Sequence, residues 1–200
     1  MIDYRSPWMD DELEMFRDAA KRFIESEIVP NDARWREQHH VDRDIWNKAG
    51  EVGLLCTDIP AEYGGVGGDA RHEAVVAEEM GRHGISSFGH VVHSILAHYV
   101  LNYGSEQQKR NWLPRMASGE LVGAIAMTEP GAGSDLQAVR ARAVREGGQY
   151  VLNGSKTFIS NGLHAGLVGV VVKTDPAKGA KGISIIMVET KDLPGYRVGR

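Results

Sequence analysis

The segment Ala126-Met127-Thr128-Glu129-Pro130-Gly131-Ala132-Gly133-Ser134-Asp135 concentrates groups that can hold a polar ligand. Thr128 and Ser134 supply hydroxyls. Gly131 and Gly133 carry no side chains, so backbone N–H groups can come close to a bound molecule. Pro130 stiffens the turn, and Asp135 can brace it through a local side-chain-to-backbone hydrogen bond. Such a loop suits a planar cofactor with several acceptors, or a pyrophosphate. The same composition also describes a plain turn, so the loop alone leaves both readings open.

Other residues invite chemistry and have simpler explanations. His90 and His93 are three apart, with His98 further along. That spacing can bring imidazoles to one metal, but no cysteine or carboxylate set accompanies it, so no metal site is expected. Glu78 and Glu79 are adjacent and diverge on a helix, which predicts a solvated face and a helix contact rather than a carboxylate pair. The run Pro60-Ala61-Glu62-Tyr63-Gly64-Gly65-Val66-Gly67-Gly68 is glycine-rich. No strand precedes it and no Lys-Ser/Thr follows it, so a connector is expected and not a phosphate loop. Lys173, Lys178 and Lys181 could meet phosphates, but a flexible surface loop is the better explanation.

The elements that must position these groups fall into two textures. Asp11 is the expected first cap, with Glu14 completing a capping box. Leu13, Phe16, Ala20, Phe23, Ile24 and Ile28 then mark one apolar helix face, ending at Pro30. Further helices are predicted over 45–52 with Gly53 as stop, over 71–81, and over 87–103. The last is apolar around most of its circumference and is expected to be buried. Ser105 and Gln108 form a second capping box, Trp112, Leu113 and Met116 point inward, Pro114 should kink or shorten that helix, and Gly119 should end it.

After Glu120 the pattern becomes β-like. Strands are expected over 121–128 and 139–143, with a turn at Gly147-Gly148. A hairpin is predicted around Asn153-Gly154, between Tyr150–Leu152 and Lys156–Ser160. Further strands are expected over 167–172 and 183–188, separated by a Gly/Lys-rich loop, and another begins at Tyr196–Arg200. Helices first and antiparallel strands second predict an α+β chain, with a helical domain over 1–120 and a β-domain of barrel or sandwich type over 121–200. No internal repeat or low-complexity segment interrupts it.

Composition narrows the function classes. The 200 residues carry a net charge of −4, with 42% apolar and 25% charged residues. This is ordinary for a soluble domain pair and unsuited to nucleic acid. Arg140, Arg142 and Arg145 alternate and are expected to lie on one solvated strand face. Cys56 is the single cysteine, so no internal disulfide forms, which fits a reducing compartment. Asp3, Asp10, Asp11 and Glu12 make the N-terminus acidic, unlike a signal or transit peptide. No apolar run is long enough to span a bilayer. A cytoplasmic protein is the expectation.

The ordering of these residues resembles the acyl-CoA dehydrogenase family along nearly the whole chain. Met127-Thr128-Glu129-Pro130-Gly131-Ala132-Gly133-Ser134-Asp135 matches its signature without a break. Leu152-Asn153-Gly154-Ser155-Lys156-Thr157-Phe158-Ile159-Ser160-Asn161-Gly162 is similar to a second family segment. Tyr103-Gly104-Ser105-Glu106-Gln107-Gln108-Lys109 through Leu113-Pro114, with Ala117-Ser118-Gly119-Glu120, is similar to a third. Pro60 to Gly65 looks like its Pro-x-x-Tyr-Gly-Gly connector. The Ser134-Asp135-Leu136-Gln137 and Phe158-Ile159-Ser160 forms look most like the long-chain branch and its bacterial relatives.

The resemblance implies FAD as cofactor, an acyl-CoA substrate and α,β-dehydrogenation, with electrons passing to an electron-transfer flavoprotein; an oxygen-using flavoprotein relative and a non-catalytic or partner-completed subunit of the same fold are the alternatives. It implies that Ile125, Met127 and Thr128 contact the isoalloxazine ring, and that Gly133 and Ser134 lie near the pyrophosphate or substrate. Ser134 is also the position that touches the CoA thioester. Phe158, Ile159 and Ser160 pack on the flavin. Phe158 stands where many members have Trp, and Ser160 where many have Thr, its hydroxyl able to reach flavin N5. The helix at 87–103 lies beside the acyl pocket, where His90 or Ser94 could line it. Glu129 is not the family's base, which belongs to a C-terminal helical domain beyond Arg200. Residues 1–200 alone are therefore expected to lack activity, and the complete protein to be a dimer or tetramer.

Overall fold

The computed structural model describes residues 6–199. Asp3 and Arg200, which enter the sequence expectations, lie outside them. The chain forms two compact units, one up to Leu121 and one from Val122.

The first unit is helical: α1 (Asp11–Phe23), α2 (Val29–Gln38), α3 (Asp44–Glu51), α4 (Ala70–Arg82), α5 (His90–Tyr103) and α6 (Glu106–Ala117). The first cap is Asp10 rather than Asp11; its carboxylate accepts from the Leu13 amide at 2.9 Å. Pro30 does not end the helix. A π-helical turn, Ile24–Ile28, joins α1 to α2 and places Pro30 in the first turn of α2, where no N–H is needed. Asn31 Nδ2 donates to the Glu27 carbonyl at 2.9 Å, using an acceptor in that region.

The Ser105–Gln108 capping box forms as expected, and α6 runs through Pro114 without a break. Gly119 follows α6 at φ +75°. A Cβ there would sit 2.0 Å from the Trp46 carbonyl oxygen, so close backbone approach requires glycine. The helix α5 departs from its expected full burial: Val91 and Ile95 remain 48% and 43% exposed. They are four residues apart and share one face.

The second unit is a five-stranded sheet: β1 (Val122–Ala126), β2 (Arg142–Glu146), β3 (Gln149–Asn153), β4 (Ala165–Lys173) and β5 (Ile183–Glu189). The central strand is β4. It pairs antiparallel with β5 along one edge. Its other edge pairs parallel with β1 and then, at Lys173, with Arg142 of β2. The sheet is therefore mixed rather than purely antiparallel. Residues 127–164 separate β1 from β4, and parallel pairing needs a connection of that kind.

The hairpin differs from the expected one. β2 and β3 pair across Gly147-Gly148, whose φ values of +54° and +89° suit a tight two-residue turn. Asn153 ends β3, and Lys156–Ser160 forms no strand. Gly154 instead passes close to Ala141, where an added Cβ would meet the Ala141 Cβ at 2.5 Å. The expected strand at 139–143 begins later, at Arg142, and Tyr196–Gly199 pairs with no strand. Two small clusters form the core beside β4. One joins Ala124, Ala126, Ala165 and Val168, with Ile159 packed on it; the other joins Ala141, Ala143 and Val172.

Candidate functional site

Alternation along β1 sorts its side chains. Ala124 and Ala126 enter the first cluster, while Ile125 projects to the opposite face and stays half-buried. Met127 and Thr128 continue from the strand end and are also half-buried. The chain then turns sharply. The Glu129 amide donates to the Ala132 carbonyl at 2.9 Å, and the Ala132 amide returns to the Glu129 carbonyl at 3.1 Å. Pro130 and Gly131 form the exposed tip. Gly133, Ser134 and Asp135 follow, all exposed, and Asp135 accepts from the Gln137 amide at 3.1 Å as the local brace expected of it.

The second segment lies against the first. The Thr157 amide donates to the Thr128 carbonyl at 2.9 Å. This brings Phe158 beside the end of β1, although the two segments are far apart in sequence. Phe158 has φ +57° and is 94% exposed. A bulky side chain rarely takes that backbone conformation, and such outliers gather at functional sites. Ile159 turns inward onto the alanine cluster, and Ser160 is exposed. Asn161, at φ +64°, donates from Nδ2 to the Gly123 carbonyl at 3.1 Å. Its own carbonyl accepts from His164 and Ala165, both at 2.9 Å, so this knot is anchored to both β1 and β4.

A pair that sequence reasoning missed connects the two segments. Lys156 Nζ donates to the Met127 carbonyl at 2.9 Å and to Glu129 Oε1 at 2.8 Å. Glu129 also accepts from the amides of Arg140 at 2.7 Å and Ala141 at 3.0 Å. Burial pushes the Glu129 carboxyl up, but Lys156 and the two amides outweigh it and hold the group below the ordinary carboxylate range. Glu129 is thus a loop anchor whose oxygens are committed. The sequence placed Lys156 in a strand that does not form, which hid the pairing.

The remaining candidates belong to the helical unit. His93 is fully buried; its Nε2 donates to the Met116 carbonyl at 3.1 Å and lies 3.6 Å from Cys56 Sγ. Burial pushes the His93 pKa down to about 4, and burial also raises the Cys56 thiol well above its usual value. His98 Nε2 meets Asp58 Oδ2 at 2.9 Å. His90 and Ser94 are buried rather than placed on the exposed Val91–Ile95 face. No group of potential metal ligands forms among the described residues. Glu78 and Glu79 do not simply face solvent: Arg17 of α1 meets both, at 2.7 and 3.5 Å, and so does Arg82. Lys178 pairs with Asp175 at 3.0 Å. No helix among the described residues is long and apolar enough to cross a membrane.

The family model for the acyl-CoA dehydrogenase N-terminal domain matches residues 10–120, and that for the acyl-CoA dehydrogenase middle domain matches residues 124–200. The mitochondrial long-chain specific acyl-CoA dehydrogenase of Sus scrofa is 43% identical over 192 residues, covering 94% of this chain and 44% of its own. The crystal structure of an acyl-CoA dehydrogenase from Geobacillus kaustophilus superposes with a TM-score of 0.93 at 42% identity, covering 98% of this chain and 52% of that one. An acyl-CoA dehydrogenase from Bacillus anthracis, solved in complex with FAD, gives a TM-score of 0.84 at 35% identity, over 96% of this chain and 33% of that one. The chain therefore spans about half the length, or less, of these relatives. Across its helical unit and its sheet unit alike, this chain belongs to the acyl-CoA dehydrogenase family.

Proposed function

We propose that the Met127–Ser134 loop and the Phe158–Ser160 segment form the flavin-binding face of an FAD-dependent acyl-CoA dehydrogenase. The observation that carries this reading is Phe158, an aromatic ring held almost fully in solvent on a left-handed backbone and tied beside Thr128. The residues fit the group. Gly131 and Gly133 have negative φ and open space where a Cβ would stand, so internal packing does not demand glycine there. A ligand approaching the backbone does. The FAD-bound relative from Bacillus anthracis supports the same cofactor for this chain.

Each residue then has a part. Ile125, Met127 and Thr128 offer the ring an edge of half-buried side chains and backbone. Gly133 and Ser134 offer an amide and a hydroxyl to the pyrophosphate or to the substrate thioester. Phe158 supplies an apolar wall that excludes water, and Ser160 a hydroxyl for hydrogen bonding. Ile159 faces the alanine cluster, so it contributes through its backbone. Held by these residues, FAD would supply a two-electron acceptor for the β-hydrogen of the acyl group. Glu129, occupied by three donors, is no base for the substrate α-proton.

The exposed Val91 and Ile95 on α5 support an apolar acyl chain as ligand of the helical unit. Family membership supports an electron-transfer flavoprotein as acceptor and a homo-oligomeric complete protein. The single cysteine fits a cytoplasmic enzyme, while the pig relative is named as mitochondrial. Adding acyl-CoA to the complete flavin-loaded protein without oxygen should bleach the flavin and yield enoyl-CoA. Persistence of the oxidised flavin spectrum across acyl-CoA chain lengths would overturn the proposal.

A further inference from the structure

The Glu129 and Lys156 side chains are only 7% and 10% exposed, yet neither residue belongs to a strand or helix. An ion pair withdrawn from water loses hydration on both charges, and a well-packed apolar pair is often no less stable. Such a pair calls for a reason other than stability. Its placement supplies one. Lys156 reaches Met127 and Glu129, and Glu129 reaches the amides of Arg140 and Ala141, so one pair gathers three separate stretches of chain.

The ties that hold Phe158 to the Thr128 segment are few. Thr157 contributes its amide, but its Oγ1 is buried with no partner among the described residues. Lys156 supplies the side-chain tie to the Met127–Glu129 stretch itself, while Asn161 Nδ2 ties the far end of the segment to Gly123 of β1. A left-handed aromatic residue persists only where surrounding contacts over-determine it. The charge is also local, since Glu129 accepts from two amides without Lys156, and those bonds can keep the Arg140–Ala141 strand entry in place when the lysine is removed.

We infer that the Glu129–Lys156 pair is a positioning device that sets Phe158 against the Met127–Thr128 segment for flavin. This rests on the flavin reading above. Lys156 and Glu129 touch neither flavin nor substrate in this account; they act through the residues they hold.

The test uses the complete flavin-loaded protein with Lys156→Met, Lys156→Arg and Glu129→Gln. Lys156→Met should raise the FAD dissociation constant roughly tenfold, the scale of one charged hydrogen bond. It should also displace the long-wavelength absorption band of bound flavin and speed hydrogen exchange at the Thr157 amide. Lys156→Arg should restore the band and most of the affinity. Glu129→Gln keeps an acceptor oxygen and should move the band in the same direction by less; it decides the matter if Lys156→Met does not fold. An unchanged dissociation constant and band in Lys156→Met, or in Glu129→Gln where that variant is needed, overturn the inference while leaving the flavin reading intact. Loss of affinity in step with melting temperature, with no band shift and no rescue by arginine, overturns it in favour of a purely structural pair. Failure of the parent protein to bind FAD overturns both.

Discussion

The two units treat their unusual residues in opposite ways. In the helical unit, three unusual residues are explained from within, although the exposed Val91 and Ile95 are not. Gly119 is glycine because the Trp46 carbonyl leaves no room for a Cβ. His93 is buried and hydrogen-bonded to the Met116 carbonyl. Glu79, 3% exposed, lies between Arg17 and Arg82. In the sheet unit, the oddities near β1 have no internal cause. Gly131 and Gly133 have space for a side chain, and Phe158 stands in solvent in a disfavoured backbone conformation. The first kind of feature is accounted for by packing; the second kind is what the flavin proposal draws on.

The sharpest contrast lies between glycines. Gly119→Val should cost more than about 4 kcal/mol and abolish soluble protein, because it combines a backbone collision with a left-handed φ. Gly131→Ala should leave the unfolding free energy from urea titration within about 0.5 kcal/mol of the parent while weakening FAD binding. Equal stability losses at both positions would erase the distinction.

Next in size is a pH effect confined to the helical unit. Burial holds the His93 pKa at about 4, whereas its ordinary value is 6.5. The neutral ring therefore contributes its full stability above pH 6.5. That contribution is lost as pH falls toward 4, by up to about 3 kcal/mol, because the unfolded chain takes the proton first. Urea midpoints measured down this range should fall, and His93→Gln should flatten the slope over the same window.

Phe158→Gly sharpens the comparison from the other side. Relief of the left-handed strain should raise the stability of the flavin-free protein by about 1 kcal/mol or leave it unchanged. FAD affinity should fall. A loss of stability on that substitution would mean that Phe158 serves the fold. Ser105→Ala should have the smallest effect: about 1 kcal/mol from the α6 cap, read by thermal melting, with flavin binding untouched.

What the sequence revealed follows the range of the forces involved. The Ser105–Gln108 box and the Gly119 stop are local, and both form as expected. Local rules failed where a second contact intervened. Pro30 looked like a stop because the π-turn that absorbs it has no simple sequence signature. Asn153-Gly154 looked like a hairpin, but Gly147-Gly148 makes that turn and Gly154 serves the close pass over Ala141. Parallel pairing of β1 with β4 depends on a long connection that periodicity does not describe. The glycines and hydroxyls of the loop were visible as chemistry. Their neighbourhood with Phe158 follows from the family resemblance but not from spacing or periodicity, because the Thr157–Thr128 bond and the Lys156–Glu129 pair that build it join residues distant in sequence.

The most direct measurement is a crystal structure of the complete protein loaded with FAD. The account predicts the isoalloxazine ring in van der Waals contact with Phe158 and with the backbone at Met127 and Thr128, and Ser134 or Gly133 hydrogen-bonded to the cofactor or to a bound acyl-CoA. A flavin seated elsewhere, with Phe158 still in solvent and the Met127–Ser134 loop untouched, would contradict it.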